Sequence, residues 1–188
     1  MFKFVGNFNE IEMRKLEMDE LGRLDVEGYK KSSKIPIRIV LDNIRSMNNV
    51  GSVFRTSDAF RIEKIYLCGI TPQPPHRDIN KTALGADKSV EWEYVNDIAE
   101  LISTLKSEGL SIIGIEQTDE SKSLAEMQID DKTHYAIVMG NEAFGLSDQI
   151  LDQLDSCLEI PQYGTKHSLN VSVCTGIVLW EFQKAFRN

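Results

Sequence analysis

Three polar segments hold the residues that could do chemistry. The first, Asn48 to Phe60, follows an apolar run, Ile37 to Leu41, and a polar turn, Asp42 to Met47. That order reads as a strand feeding a helix through a functional loop. Gly51 and Arg55 stand four apart in it, so on a helix bare backbone would lie beside a permanent cation. Glycine inside a helix costs roughly 1 kcal/mol against alanine, which implies close approach by another group. Taken alone, the segment reads more simply as a helix capped by Asn49. That helix would bury Val50, Val53, Phe54 and Phe60 and pair Arg55 with Asp58.

The second segment is Met139 to Ser147. Gly140 and Gly145 have the spacing of a phosphate loop, but Leu146 stands where its lysine must be. No G-x-G-x-x-G fingerprint exists either. Glu142 either stabilises a following helix N-terminus or addresses a polar ligand, and the residues do not choose between the two. The third segment is Ile160 to Asn170, where Ser168 or Asn170 can cap the last helix. His167 beside Ser168 is not a nucleophile pair, because adjacent side chains diverge and no Gly-x-Ser-x-Gly elbow surrounds the serine. Cys68, Cys157 and Cys174 are odd in number and widely spaced, which argues for reduced core thiols and against disulfides or a metal site.

These segments need a scaffold. Apolar runs at Ile37–Leu41, Ile65–Cys68, Ser111–Glu116, Tyr135–Met139 and Cys157–Ile160 predict strands. Helices are expected at Asn49–Phe60, near Asn80–Leu84, at Asp97–Glu108, near Ser147–Gln153 and at Asn170–Phe186. Continuous apolar strands alternating with helices imply an α/β fold, a mostly parallel sheet with helices on both faces. Ligands of such sheets bind beyond the carboxyl ends of strands, which is where the three segments fall. Residues 8–30 read as a charged helical arm anchored by Ile11, Leu16, Leu21 and Leu24. The chain therefore divides into an N-terminal helical extension, 1–34, and a domain over 35–188. The Pro-containing connection from Gly69 to Ile79 is long enough to be functional. The last helix is apolar nearly all round, from Val171 to Phe182, and we expect it to share in a dimer interface.

The 188 residues carry a formal net charge of −8. Residues 91–155 hold three Lys/Arg against fifteen Asp/Glu, whereas residues 35–90 hold eight against five. A mildly basic segment within an acidic chain permits a phosphate-contacting face without requiring one. No apolar run reaches the length of a membrane span and the N-terminus has no signal-peptide core, so the expected location is cytoplasmic.

Together the segments resemble a known family. The pattern Asn49-x-Gly51-x-x-x-Arg55, then Gly140-Asn141-Glu142-x-x-Gly145-Leu146-Ser147, then Ile160-Pro161-x-x-Gly164-x-x-x-Ser168-Leu169-Asn170-Val171-Ser172-Val173 is similar to the SpoU (TrmH-like) RNA ribose 2′-O-methyltransferases of the SPOUT superfamily. Lys81 to Ala86 also matches the family between its first two motifs. Arg61, where glycine is common, and Cys174, where alanine is usual, depart from the pattern. The resemblance implies a C-terminal deep trefoil knot, a homodimer and S-adenosyl-L-methionine bound in the knot by Gly140, Ile160 and Leu169, with Ser168 and Asn170 nearby. It implies catalytic positions at Arg55, Asn49, Glu142, Ser168 and Asn170, with no metal and no membrane. The implied substrate is RNA, with tRNA, methylated on a guanosine, favoured over rRNA. A cofactor-binding or RNA-binding member without catalysis is the alternative. The chain shows no separate basic RNA-binding domain, which leaves the target open.

Overall fold

The computed structural model describes residues 13–17 and 19–187. The arm expected over residues 8–30 falls partly outside them. Among the described residues, helix α1 spans only Val26–Lys31, capped by the Asp25 carboxylate, which accepts the Gly28 N–H at 2.7 Å. Leu16, Leu21 and Leu24, expected as anchors, are exposed, and the segment docks instead through the buried ring of Tyr29.

Among the described residues seven strands form one parallel sheet: β1 Ile35–Asp42, β2 Ile62–Cys68, β3 Glu91–Val95, β4 Ser111–Ile115, β5 Lys122–Ser123, β6 Tyr135–Met139 and β7 Ser156–Glu159. Their order is β3-β2-β1-β6-β4-β7-β5. Five were expected. The missed β3 alternates acidic and aromatic residues at a sheet edge, and β5 is two residues long, so neither carries the apolar run of a central strand.

Side chains leave a strand alternately, so one strand feeds two cores. Ile37, Ile39 and Leu41 of β1 pack on one side with Val50 and Phe54 of α2 (Met47–Phe60) and Leu179 and Phe182 of α7 (Val171–Gln183). Val40 faces the other side with Val138, Ile102 and Leu105 of α5 (Ile98–Ser107), and Ile150 of α6 (Asp148–Leu151). Phe54 and Phe182 are fully buried, each contributing about 1.5–3 kcal/mol relative to exposure. Helices thus cover both faces.

Helix α2 begins two residues earlier than expected. Its cap is Ser46, whose hydroxyl accepts the Asn49 N–H at 3.3 Å, so the Asn49 side chain is free for other work. The helix ends on Arg61 in the left-handed conformation (φ 51°), which explains why glycine suits that position. Gly51 faces α3 (Arg77–Ala83): an added Cβ would lie 2.3 Å from the Ile79 carbonyl oxygen and 2.2 Å from Thr82 Oγ1. The close approach implied by Gly51 is made by this chain's own helix. The expected Arg55–Asp58 ion pair is absent among the described residues; Asp58 instead accepts a hydrogen bond from the hydroxyl of Ser89, the last residue of α4 (Ala86–Ser89).

Candidate functional site

The strand order places the carboxyl ends of β1, β6, β4 and β7 side by side, and the loops leaving them converge there. The β1–α2 turn is braced from below. Asp42 is fully buried, and its Oδ2 accepts the Ser147 N–H at 2.8 Å. The Thr71 hydroxyl, from the Pro-containing connection, accepts the Ile44 N–H at 3.0 Å and donates to the Leu41 carbonyl at 3.0 Å. That connection therefore holds the first loop in place.

The loop after β6 is equally fixed. Asn141 pairs with Gly145 through two backbone hydrogen bonds of 2.8 and 2.9 Å, and its amide donates to the Asn43 carbonyl at 2.6 Å. Gly140 lies beneath the returning chain, where a Cβ would meet the Gly145 carbonyl carbon at 2.3 Å. This close approach requires glycine.

Glu142 ties the loops together. Its Oε2 accepts the Arg45 N–H at 2.9 Å, while Oε1 accepts the Ser46 N–H and the Asn49 amide, each at 3.0 Å. Partial burial opposes ionisation of Glu142, but these donors outweigh it and hold the carboxyl below its ordinary range. Asn49 Oδ1 in turn accepts from Asn170 Nδ2 at 3.1 Å, and Asn170 Oδ1 caps α7 through the Ser172 N–H at 2.9 Å. A continuous hydrogen-bonded chain, Glu142–Asn49–Asn170, thus joins the three segments that the sequence singled out.

Beside this chain lies a cavity of about 560 Å³. Gly140, Ile160, Ser168, Leu169 and Asn170 all line it, as do Glu116, Glu142 and Glu159. Among the described residues no lysine or arginine does. Ser168 is exposed at its edge and makes no side-chain hydrogen bond among the described residues. Arg55 is not brought in: it does not line the cavity, is exposed, and has no ion pair among the described residues. Six residues of helix, a rise of about 9 Å, separate it from Asn49. Asp42 and Thr71 were not singled out from sequence, and Asn141 appeared only as a motif residue without a role. Adjacency to a strand end is the signal that could have marked Asp42. Among the described residues no group of His, Cys, Asp and Glu could hold a metal ion, and no helix is long and apolar enough to cross a membrane.

The model of the SpoU rRNA methylase family matches residues 36–180, which include all three loops. The chain belongs to the SpoU family. It is 33% identical over 156 residues to the 23S rRNA (guanosine-2′-O-)-methyltransferase RlmB of Neisseria meningitidis serogroup B, covering 81% of this chain and 60% of that protein. It is 32% identical over 147 residues to the tRNA (guanosine(18)-2′-O)-methyltransferase of Aquifex aeolicus, covering 78% of this chain and 68% of the relative. The crystal structure of the A. aeolicus TrmH/SpoU tRNA modifying enzyme superposes with a TM-score of 0.74 at 29% identity, over 85% of this chain and 79% of that one. This SpoU chain therefore spans about three fifths of the rRNA-modifying relative's length and more of the tRNA-modifying one's. Its parallel sheet with helices on both faces is the architecture of the SpoU structures it superposes on.

Proposed function

We propose that this SpoU-family chain is an S-adenosyl-L-methionine-dependent RNA methyltransferase that modifies a ribose 2′-hydroxyl, with tRNA guanosine as the favoured target. The observation that carries this reading is the Glu142–Asn49–Asn170 chain at the mouth of a cavity with carboxylates and no lysine or arginine. A phosphate-bearing nucleotide would find no cation there, whereas a cofactor with sulfonium and ammonium groups suits the lining. About 560 Å³ falls within the range of small-molecule sites, roughly 300–1,000 Å³. Both relatives described above are named as guanosine 2′-O-methyltransferases, one of tRNA and one of rRNA.

In this reading Gly140, Ile160 and Leu169 hold the cofactor through backbone and apolar contact, with Ser168 and Asn170 at its edge. When bound, the cofactor supplies an electrophilic methyl group. Glu142 and Asn49 are positioning residues, since Glu142 bridges its own loop to the β1–α2 turn and Asn49 links that carboxylate to Asn170 at the start of α7. Arg55 acts on the substrate. A guanidinium has no acceptor site, so it cannot serve as a base. It orients the 2′-hydroxyl and stabilises the developing alkoxide, with a substrate phosphate accepting the proton. Arg45, Arg55, Arg77 and Lys81 are exposed and unpaired among the described residues, on the side where α2 and α3 lie, and suit the RNA backbone. Intact Asn49, Arg55, Glu142 and Asn170 speak against a non-catalytic member.

The partner we propose is a second copy of the chain, seated on α7. Val173, Ile177 and Trp180 form an apolar stripe on this helix, with Val173 and Trp180 each more than half exposed. Thr56 and Phe60 of α2 meet α7 beside it, which sets Arg55 near the protomer boundary. We further propose residues 1–34 as an extension to a 35–188 catalytic domain, the C-terminal knot of the SPOUT superfamily, and a cytoplasmic location. Methyl transfer from labelled cofactor to total tRNA and to rRNA, followed by nucleoside mapping, tests the reading. A 2′-O-methylated guanosine in tRNA supports it, and label confined to rRNA redirects it.

A further inference from the structure

Two carboxylates that line the cavity, Glu116 and Glu159, have no part in the chain that links the loops, and Glu116 is the one fixed by hydrogen bonds through both of its oxygens. Glu116 directly follows β4, at the strand's carboxyl end, and lines the cavity beside Ile115. Its Oε1 accepts the Gln117 N–H at 2.9 Å and its Oε2 the Leu146 N–H at 3.1 Å. Gly145 packs so closely that a Cβ there would fall 2.0 Å from Oε2. The carboxylate is therefore held from two loops at once and has little freedom to turn away.

Glu116 is half-buried, and among the described residues it has no cationic partner. Its field is felt within the cavity: after burial itself, the Glu116 charge helps push the Cys174 thiol up to about 11, and Cys174 lines the cavity from α7. A partly desolvated carboxylate is costly unless hydrogen bonds compensate. Two backbone N–H groups use one site on each oxygen, and a carboxylate offers about four. One acceptor site on each oxygen remains for a ligand.

Two fixed oxygens, each with a site to spare, match two adjacent hydroxyl donors. A carboxylate near the ends of strands that takes a ribose hydroxyl is a recurring solution in open α/β sheets. We propose that Glu116 binds the ribose of the cofactor, its two carboxylate oxygens accepting the O–H groups of the 2′,3′-diol. The inference rests on the reading of the cavity as an S-adenosyl-L-methionine site. It adds a charged side-chain contact to one otherwise made by backbone and apolar groups.

Calorimetry with S-adenosylhomocysteine, its 2′,3′-dideoxy analogue and an analogue lacking the α-amino group tests it, on the wild type and Glu116→Gln. The wild type should lose about tenfold or more in affinity for the dideoxy compound, the scale of hydrogen bonds to a charged acceptor. Glu116→Gln should weaken S-adenosylhomocysteine by a similar factor yet bind the dideoxy compound as the wild type does, because the two changes remove the same contact. The deaminated analogue should be affected equally in both proteins. Equal weakening of the parent and dideoxy ligands by Glu116→Gln would reduce Glu116 to a loop clamp and overturn the proposal. Coupling to the amino group instead of the diol would overturn it too. The wild-type comparison needs no variant, so undiminished binding of the dideoxy compound refutes the proposal even if Glu116→Gln folds poorly. Failure of the wild type to bind S-adenosylhomocysteine at all is a separate result, and removes the reading of the cavity itself.

Discussion

At the scale of single residues, Glu142, Asn49 and Asn170 hold the loops to one another, and Arg55 is the residue we propose for the substrate. Arg55 is exposed and carries no ion pair among the described residues, so its removal should leave the fold intact. Arg55→Ala is expected to lower methyl transfer roughly 100-fold, the scale of losing one transition-state donor. Its melting temperature should stay close to wild type. Arg55→Lys keeps the charge but not the planar fork, and full activity in that variant would refute a geometric role. Glu142 behaves differently, because its carboxyl is held below the ordinary range by the Arg45 and Ser46 N–H groups and the Asn49 amide. A depressed folded-state value means the clamp's contribution is present above the ordinary glutamate value, about 4.3, and is lost as pH falls through the lowered one. Thermal unfolding across the acid limb should therefore be less pH-dependent in Glu142→Gln, and an unchanged limb would contradict the clamp. The motif spacing made Asn49, Glu142 and Asn170 legible as candidates. Their mutual hydrogen bonds were not legible, because side chains 121 residues apart in sequence meet only once the strand order is known.

At the scale of elements, strands with continuous apolar runs and helices with one buried face were readable, and Tyr135–Met139 appears with the bounds expected of it. What escaped were the edge strand β3, the two-residue β5 and the short α4, each too short or too exposed to leave a periodic signal. Helix α2 shows how one glycine can announce a contact without naming the neighbour. Gly51 signalled a close approach, and the approaching group is α3, through the Ile79 carbonyl and the Thr82 hydroxyl. Gly51→Ala should thus destabilise the protein by about 1–3 kcal/mol through overpacking, measured by denaturant unfolding, even though the variant improves helix propensity. A neutral or stabilised Gly51→Ala would mean that α3 yields easily and that its packing does not position α2.

At the scale of the whole molecule, a parallel sheet whose order is not its sequence order gathers the ends of β4, β6 and β7 at one cavity and sets the end of β1 beside β6. Periodicity predicts the strands but not that β6 inserts between β1 and β4, so the convergence of the loops could be expected only by resemblance. Helix α7 leaves Val173, Ile177 and Trp180 outward, an apolar stripe beside the site. If a second copy covers it, Ile177→Glu should convert a dimer to a monomer by light scattering, while an unchanged mass would remove α7 from the interface. The acidic excess lies in residues 91–155, whereas Arg45, Arg55, Arg77 and Lys81 are exposed and unpaired among the described residues, and the second group suits RNA. The most direct test of the central claim is transfer of labelled methyl from S-adenosyl-L-methionine to unmodified tRNA, with digestion to nucleosides. The expected result is a 2′-O-methylated nucleoside with the wild type and almost none with Arg55→Ala. Label on a base, or transfer undiminished by Arg55→Ala, would contradict it.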